Sequence, residues 1–134
     1  MNFILSLVIG FIVNNAVGAL VAKLILNPIL GEATAAISRK PGEMEMPSLL
    51  GGYFLLTLIM VVVYPYFGFQ GSWLTKGLVW GLIAGGIVFV SGYQIVAGWA
   101  ILPPKPMLIS GIADSASTIA TGIVIAFFHR HTGQ

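Results

Sequence analysis

Four long apolar runs constrain this chain more than any other feature of its sequence. They cover roughly residues 3–26, 48–68, 77–102 and 107–128. A helix needs about 20 apolar residues to cross the ~30 Å hydrocarbon core of a bilayer, and each run is long enough. Only 7% of the 134 residues are charged, which is too few to cover a water-exposed surface. The runs therefore predict an all-α membrane protein: a four-transmembrane-helix up-down bundle that forms a single membrane domain over residues 1–134.

The connections between the runs favour this bundle. Loop 27–47 is the only substantial connection, and the two others are short, as between antiparallel neighbouring helices. Four basic residues lie on the side of this loop and two on the opposite side. They are Lys23, Arg39, Lys40 and Lys105 on the first side, and Lys76 and Arg130 on the second. The positive-inside rule then weakly favours a cytoplasmic position for loop 27–47.

Several classes of function are not expected for this sequence. The absence of cysteine excludes thiolate catalysis and cysteine-based metal sites, and a net charge of +2 is too small for a nucleic-acid interface. No phosphate-binding glycine loop, zinc-protease helix or nucleophile elbow is present. His129 and His131 fit a cationic helix end better than a metal site. We therefore expect a non-enzymatic protein without a cofactor or a bound metal.

Small residues recur in the runs at spacings that place them on one helix face. Lipid gives no hydrophobic drive between helices, so association depends on the close backbone approach that small residues allow. The stripes predict helix packing, either within one chain or against a second copy. The packing candidates are Gly10, Gly18, Gly77, Gly81, Gly85, Gly92, Gly111 and Gly122.

The fourth run contains Asp114, the only acidic residue outside positions 32–45. An aspartate at the centre of a membrane helix costs about 2.5–3.5 kcal/mol, so Asp114 must face protein or water rather than lipid. Helical spacing places four hydroxyl residues on the same side as Asp114: Ser110, Ser117, Thr118 and Thr121. Counted at 1.5 Å per residue, four polar residues of other runs lie at depths close to that of Asp114: Lys23, Gln94, Asn15 and Tyr93.

Two interpretations of this polar set stay open. In the structural one, Asp114 pairs with Lys23, or bonds to Gln94, Asn15 and the hydroxyls, and only fixes the bundle. In the functional one, Asp114 titrates or binds a cation, and the hydroxyls line a polar path. The first predicts a small structural or accessory component of a homo-oligomer or a larger membrane complex. The second predicts a proton- or cation-coupled small transporter.

The layout resembles a set of small bacterial four-span membrane proteins classed only as a domain of unknown function. The resemblance covers nearly the whole chain and is carried by "NPILGE", "GLVWGLIAGG" and "PPKPMLISGIADSASTIATG". It implies a bundle in the bacterial inner membrane and no particular activity. The layout is also similar to small multidrug exporters, which work through one intramembrane carboxylate. Theirs lies in the first span, where this chain has Asn14 and Asn15.

Overall fold

The computed structural model describes residues 1–131, without the side chain of Pro41, and these residues form helices and connections with no strand. Residues 132–134 of the predicted domain lie outside the described part. The prediction of an all-helical chain with four long apolar helices is confirmed. Each of the four is long and apolar enough to cross a membrane. They are α1 (Asn2–Thr34), α2 (Met46–Tyr66), α3 (Trp73–Trp99) and α4 (Pro104–His129).

Helix α1 continues well beyond the end that hydropathy predicts. Residues 27–34, which the sequence assigns to the long loop, form the last turns of this helix. Pro28 would normally interrupt a helix, because its ring crowds the carbonyl group four residues earlier. That carbonyl belongs to Leu24, within a π-helical stretch at Ala22–Leu26, and the wider turn accommodates the ring. The connection between α1 and α2 is therefore reduced to residues 35–45.

Helix α4 lies at the centre of the bundle and runs antiparallel to α3. A Cβ atom added at Gly77 would lie 2.8 Å from the carbonyl oxygen of Gly122, and one added at Gly85 would lie 2.6 Å from Ser115 Cβ. Further along, a Cβ at Gly111 would lie 2.9 Å from the Phe89 carbonyl oxygen. Only glycine allows backbones this close, so α3 and α4 are fixed against each other over most of their length.

Helices α1 and α2 complete the bundle: α1 packs along α4, and α2 packs against α1. Ser6 of α1 lies beside His129, near the end of α4, with 3.4 Å between Oγ and Nδ1. One turn later, Gly10 faces both Thr57 of α2 and Thr121 of α4. The Phe11 and Phe54 rings meet edge to face at 5.9 Å. Helices that are consecutive in the chain thus run antiparallel to each other where they are in contact.

The two ends of the bundle are packed differently. The end opposite residues 35–45, here called the aromatic end, holds the apolar core. The buried side chains of this core are Met60, Val61, Tyr64, Trp80, Ala84, Ile125 and Ala126. Trp80 Nε1 donates a hydrogen bond of 3.1 Å to the Met60 carbonyl oxygen and so ties α3 to α2. At the other end, here called the loop end, cavities separate the same two helices.

Candidate functional site: a cavity around Asp114

A cavity of about 790 Å³ opens at the loop end of the bundle. Its wall combines the second half of α1, the connection to α2, the first turn of α2, Tyr93 of α3 and the first turns of α4. Much of the lining is apolar, including Leu26, Leu30 and Met107. The charged side chains of the lining are Arg39, Glu45 and Asp114. A space of this size and mixed character can take a small amphipathic molecule.

Asp114 contributes the carboxylate in the deeper part of this cavity. The side chain is half-buried, and its Oδ2 accepts a hydrogen bond of 2.8 Å from the Tyr93 hydroxyl. Ser110, one turn earlier on α4, lines the same cavity. The carboxylate of Asp114 is therefore held by a tyrosine of the neighbouring helix and lines the cavity.

Three of the four residues that depth places near Asp114 make no bond to it. Lys23 is exposed on α1. Gln94 Nε2 donates to the Pro104 carbonyl oxygen at 3.0 Å, and Asn15 Nδ2 donates to the Phe11 carbonyl oxygen at 2.8 Å. Depth along the membrane does not define helix rotation: successive helical residues point about 100° apart, so Tyr93 faces α4 where Gln94 does not. The carboxylate is bound by Tyr93 and not by Lys23 or Gln94.

The predicted hydroxyl stripe divides into two parts. Ser110 lies at the cavity, whereas Ser117, Thr118 and Thr121 are fully buried. The three buried hydroxyls donate to carbonyl oxygens three or four residues earlier on α4, at 2.7–2.8 Å. Serine and threonine commonly satisfy themselves in this way inside helices. These three residues are part of the packing between helices. The candidate site therefore includes only residues at the loop end.

A second polar contact, between Asn14 and Thr57, lies in the middle of the bundle. Both side chains are fully buried, and Asn14 Nδ2 donates to Thr57 Oγ1 at 3.1 Å. The Thr57 hydroxyl donates to the Tyr53 carbonyl oxygen at 2.8 Å, which leaves Thr57 Oγ1 as the acceptor and fixes the orientation of the amide. Among the described residues, Asn14 Oδ1 is the buried side-chain atom without a hydrogen-bond partner.

The predicted packing glycines do not all have the same surroundings. Gly77, Gly81 and Gly85 lie against the backbone or side chains of α4, and a Cβ at Gly18 would lie 2.6 Å from the Tyr53 hydroxyl oxygen. At Gly92 the nearest atom to such a Cβ is the Ile87 carbonyl oxygen of the same helix, at 3.9 Å. Gly92 therefore makes no close approach to another helix.

A narrower cavity of about 290 Å³, here called the lateral slot, lies between α2 and α3. Leu49, Gly52 and Leu56 line it from α2, and Val88 and Phe89 line it from α3. Ser48, Leu49 and Tyr93 line both the slot and the cavity around Asp114. The two spaces therefore adjoin.

The pattern of residues could reveal only part of this site. Asp114 stands out as an acid in an apolar run, but Arg39 and Glu45 reach the cavity because the connection between α1 and α2 folds over the end of the bundle. No local signal indicates that fold. Over the described part of the chain, no group of three His, Asp or Glu side chains is arranged to hold a metal ion.

Comparison with known proteins gives no match to this chain among protein-family models, curated protein sequences or solved structures. The chemistry of the cavity is therefore the basis on which a function can be inferred.

Proposed function

We propose that this chain is a proton- or cation-coupled small transporter of the bacterial inner membrane, in which Asp114 is the titrating group. The observation that carries the proposal is the position of Asp114: the carboxylate lines a cavity of about 790 Å³ and is held there by Tyr93. A structural acid would be expected inside an ion pair or a closed hydrogen-bond network, because an acid within a membrane is costly. Here the acid faces a space that a ligand can enter.

The contrast between the two ends of the bundle supports a carrier. The aromatic end is closed by a packed core in which Trp80 bonds to α2, and the loop end is open. A carrier must present its binding site to one side of the membrane at a time, and structures of carriers therefore show one closed and one open end. In this proposal four helices cross the bilayer as an up-down bundle, with the cavity on the cytoplasmic side.

The direct test measures proton movement in liposomes that contain the purified full-length chain and a trapped pH-sensitive dye. After a pH gradient is imposed and the membrane potential is clamped, the native chain is expected to dissipate the gradient faster than protein-free liposomes. Asp114→Asn keeps the shape of the side chain but cannot titrate, and we expect its rate to fall to the protein-free value. The same assay with a sodium gradient identifies a metal cation as the coupling ion.

The matched control is Glu32→Gln. Glu32 is an exposed acid on α1, and it lies outside the cavity lining. Its replacement removes the same charge without changing the site, so the rate should stay at the native value. The carrier proposal fails if Asp114→Asn folds normally and retains the native rate.

A second candidate function, an accessory component of a homo-oligomer or larger membrane complex, is favoured by the buried hydroxyls. The hydroxyls of Ser117, Thr118 and Thr121 donate within α4, and these residues do not line the cavity. If this is the function, native and Asp114→Asn chains should both be inactive in liposomes, and extraction in a mild detergent should recover the chain in a particle of constant stoichiometry.

A further inference from the structure

The lateral slot and the cavity around Asp114 adjoin, and together they make a compartment with a polar part and an apolar part. The cavity brings Arg39, Glu45 and Asp114 to one space, whereas Gly52, Leu56 and Val88 are among the residues that line the slot. Tyr93 lies where the two parts meet. A ligand that fills both parts needs a charged headgroup and an attached hydrocarbon chain.

The charges of the cavity select the kind of headgroup. Two carboxylates and one guanidinium line it, so a purely anionic headgroup would meet a net negative wall. A zwitterionic headgroup with a phosphate and a primary ammonium satisfies both signs. Arg39 offers donors that match phosphate oxygens, and Asp114 offers a carboxylate to the ammonium group.

The slot provides the place for the hydrocarbon chain. It separates Leu49–Leu56 of α2 from Val88 and Phe89 of α3, and Leu49, Gly52 and Val88 remain exposed on its outer side. In a membrane, these exposed positions adjoin the lipid chains. A lipid can therefore enter sideways from the bilayer, with its headgroup moving into the cavity.

We infer that this compartment binds a phospholipid with an ethanolamine-type headgroup, which places one acyl chain in the lateral slot and its ammonium group at Asp114. The inference deepens the proposed function and rests on it in one respect: Asp114 is taken as the charged group of the site. It names the substrate class of the carrier as a membrane lipid.

Native mass spectrometry of the purified full-length chain in mild detergent tests this inference, with lysophosphatidylethanolamine and lysophosphatidylglycerol as probes. The ethanolamine lipid is expected to bind at least tenfold more tightly, since only it carries the ammonium group. Asp114→Asn should remove this preference. Equal affinity of the native chain for the two lipids would overturn the inference.

The slot itself is tested with a matched pair of glycine variants. Gly52 lines the slot and Gly51 does not, and a Cβ at either position meets no atom within 4 Å. Gly52→Phe should fill the slot and weaken binding of both lipids at least tenfold, whereas Gly51→Phe should leave binding unchanged. Equal effects of the two variants would contradict the placement of the acyl chain in the slot.

Four further outcomes separate the alternatives. Displacement of the lipid by equimolar free phosphoethanolamine would show that the acyl chain contributes nothing and would overturn the inference. A dimer that Gly52→Phe dissociates would assign the slot to a second copy of the chain, with the same consequence. Proton flux that depends on Asp114 without any lipid preference would overturn the lipid site but agree with the carrier proposal. Lipid selectivity without flux would contradict the carrier proposal but agree with the lipid site.

Discussion

The hydrogen bonds that a polar side chain makes determine its role in this chain. Tyr93 gives its only side-chain donor to Asp114, at 2.8 Å across α3 and α4, whereas Lys23 is exposed on α1. Both tyrosine and lysine are common partners of a carboxylate. The geometry assigns the carboxylate to the tyrosine, and this assignment can be measured as a coupling free energy.

A double-mutant cycle between Tyr93→Phe and Asp114→Asn should show coupling. Hydrogen bonds between membrane helices contribute on average about 0.6 kcal/mol and at most about 1.7 kcal/mol, and we expect a value in that range. The measurement is the free energy of unfolding in mixed micelles of the native chain, the two single variants and the double variant.

The control cycle pairs Lys23→Met with Asp114→Asn. Methionine keeps most of the lysine stem and removes the charge, so any ion pair between the two residues would be lost. We expect this coupling to be zero within error. A larger coupling for Lys23 than for Tyr93 would contradict the arrangement of the site.

Replacement of Asn14 by leucine should not destabilise the protein. The change removes a buried oxygen without a partner among the described residues, and an unsatisfied buried polar group costs about 1–3 kcal/mol. It also removes the bond to Thr57, worth about 0.6 kcal/mol. Because the Thr57 hydroxyl keeps its bond to the Tyr53 carbonyl oxygen, no new unpaired donor arises. The free energy of unfolding in detergent should stay level or rise by about 1 kcal/mol.

Thr57→Val provides the comparison, since it removes the acceptor and leaves the Asn14 amide group unpaired. This variant should lose about 1–3 kcal/mol of stability. The interpretation of Asn14 is refuted if Asn14→Leu is the more damaging of the two changes.

At the residue scale, the sequence indicates which side chains are unusual but not which of them meet. Asp114 is conspicuous because an acid within an apolar run needs a reason. The choice between Tyr93 and Gln94 as its partner depends on a rotation of about 100° around α3. Hydropathy carries no information on that rotation, since both residues lie at nearly the same depth.

Helices α3 and α4 pack closely because glycines at their contact have no side chain and let the two backbones approach. A Cβ at Gly81 would lie 2.6 Å from the carbonyl oxygen of Thr118, whereas a Cβ at Gly86 would meet no atom within 4 Å. The two glycines belong to the same helix and differ only in what they face. They therefore separate the effect of packing from the effect of helix propensity.

Gly81→Ala should destabilise the protein by about 1–3 kcal/mol, the usual cost of overpacking, because the two backbones must move apart. Gly86→Ala adds a methyl group in open space and should leave stability unchanged or raise it by up to about 1 kcal/mol, the gain in helix propensity. Thermal unfolding of both variants in the same detergent checks the difference. Equal melting temperatures would show that α3 and α4 are not in close contact at Gly81.

At the scale of elements, composition predicts four helices because apolar length alone requires them. It does not predict that α1 runs on to Thr34. Asn27-Pro28 is typical of a helix end, and the continuation depends on the π-helical turn at Ala22–Leu26 that accommodates the proline. Exceptions of this kind arise from hydrogen-bond geometry within one turn, which hydropathy averaged over a window cannot show.

The whole molecule is asymmetric along the bundle axis. This asymmetry determines the end of the bundle at which the binding site of the proposed carrier is open. Packing is dense at the aromatic end, where Trp80 ties α3 to α2, and open at the loop end, where Asp114 lines the cavity. A ligand can leave toward the aromatic end only if the contact between α2 and α3 breaks there. Helix α2 is therefore the element whose movement would close one end and open the other.

The orientation of this asymmetry in the membrane is the last prediction. Four basic residues on the loop side against two on the other favour a cytoplasmic loop end, and four crossings then place residue 70 outside. The native chain has no cysteine, so single-cysteine variants at two exposed positions, Ser38→Cys and Gln70→Cys, can be labelled without background. An impermeant maleimide should label Gln70→Cys in intact spheroplasts and Ser38→Cys only in inverted vesicles. The reverse pattern would place the cavity on the outer side, and Asp114 would then take its proton or cation from outside the cell.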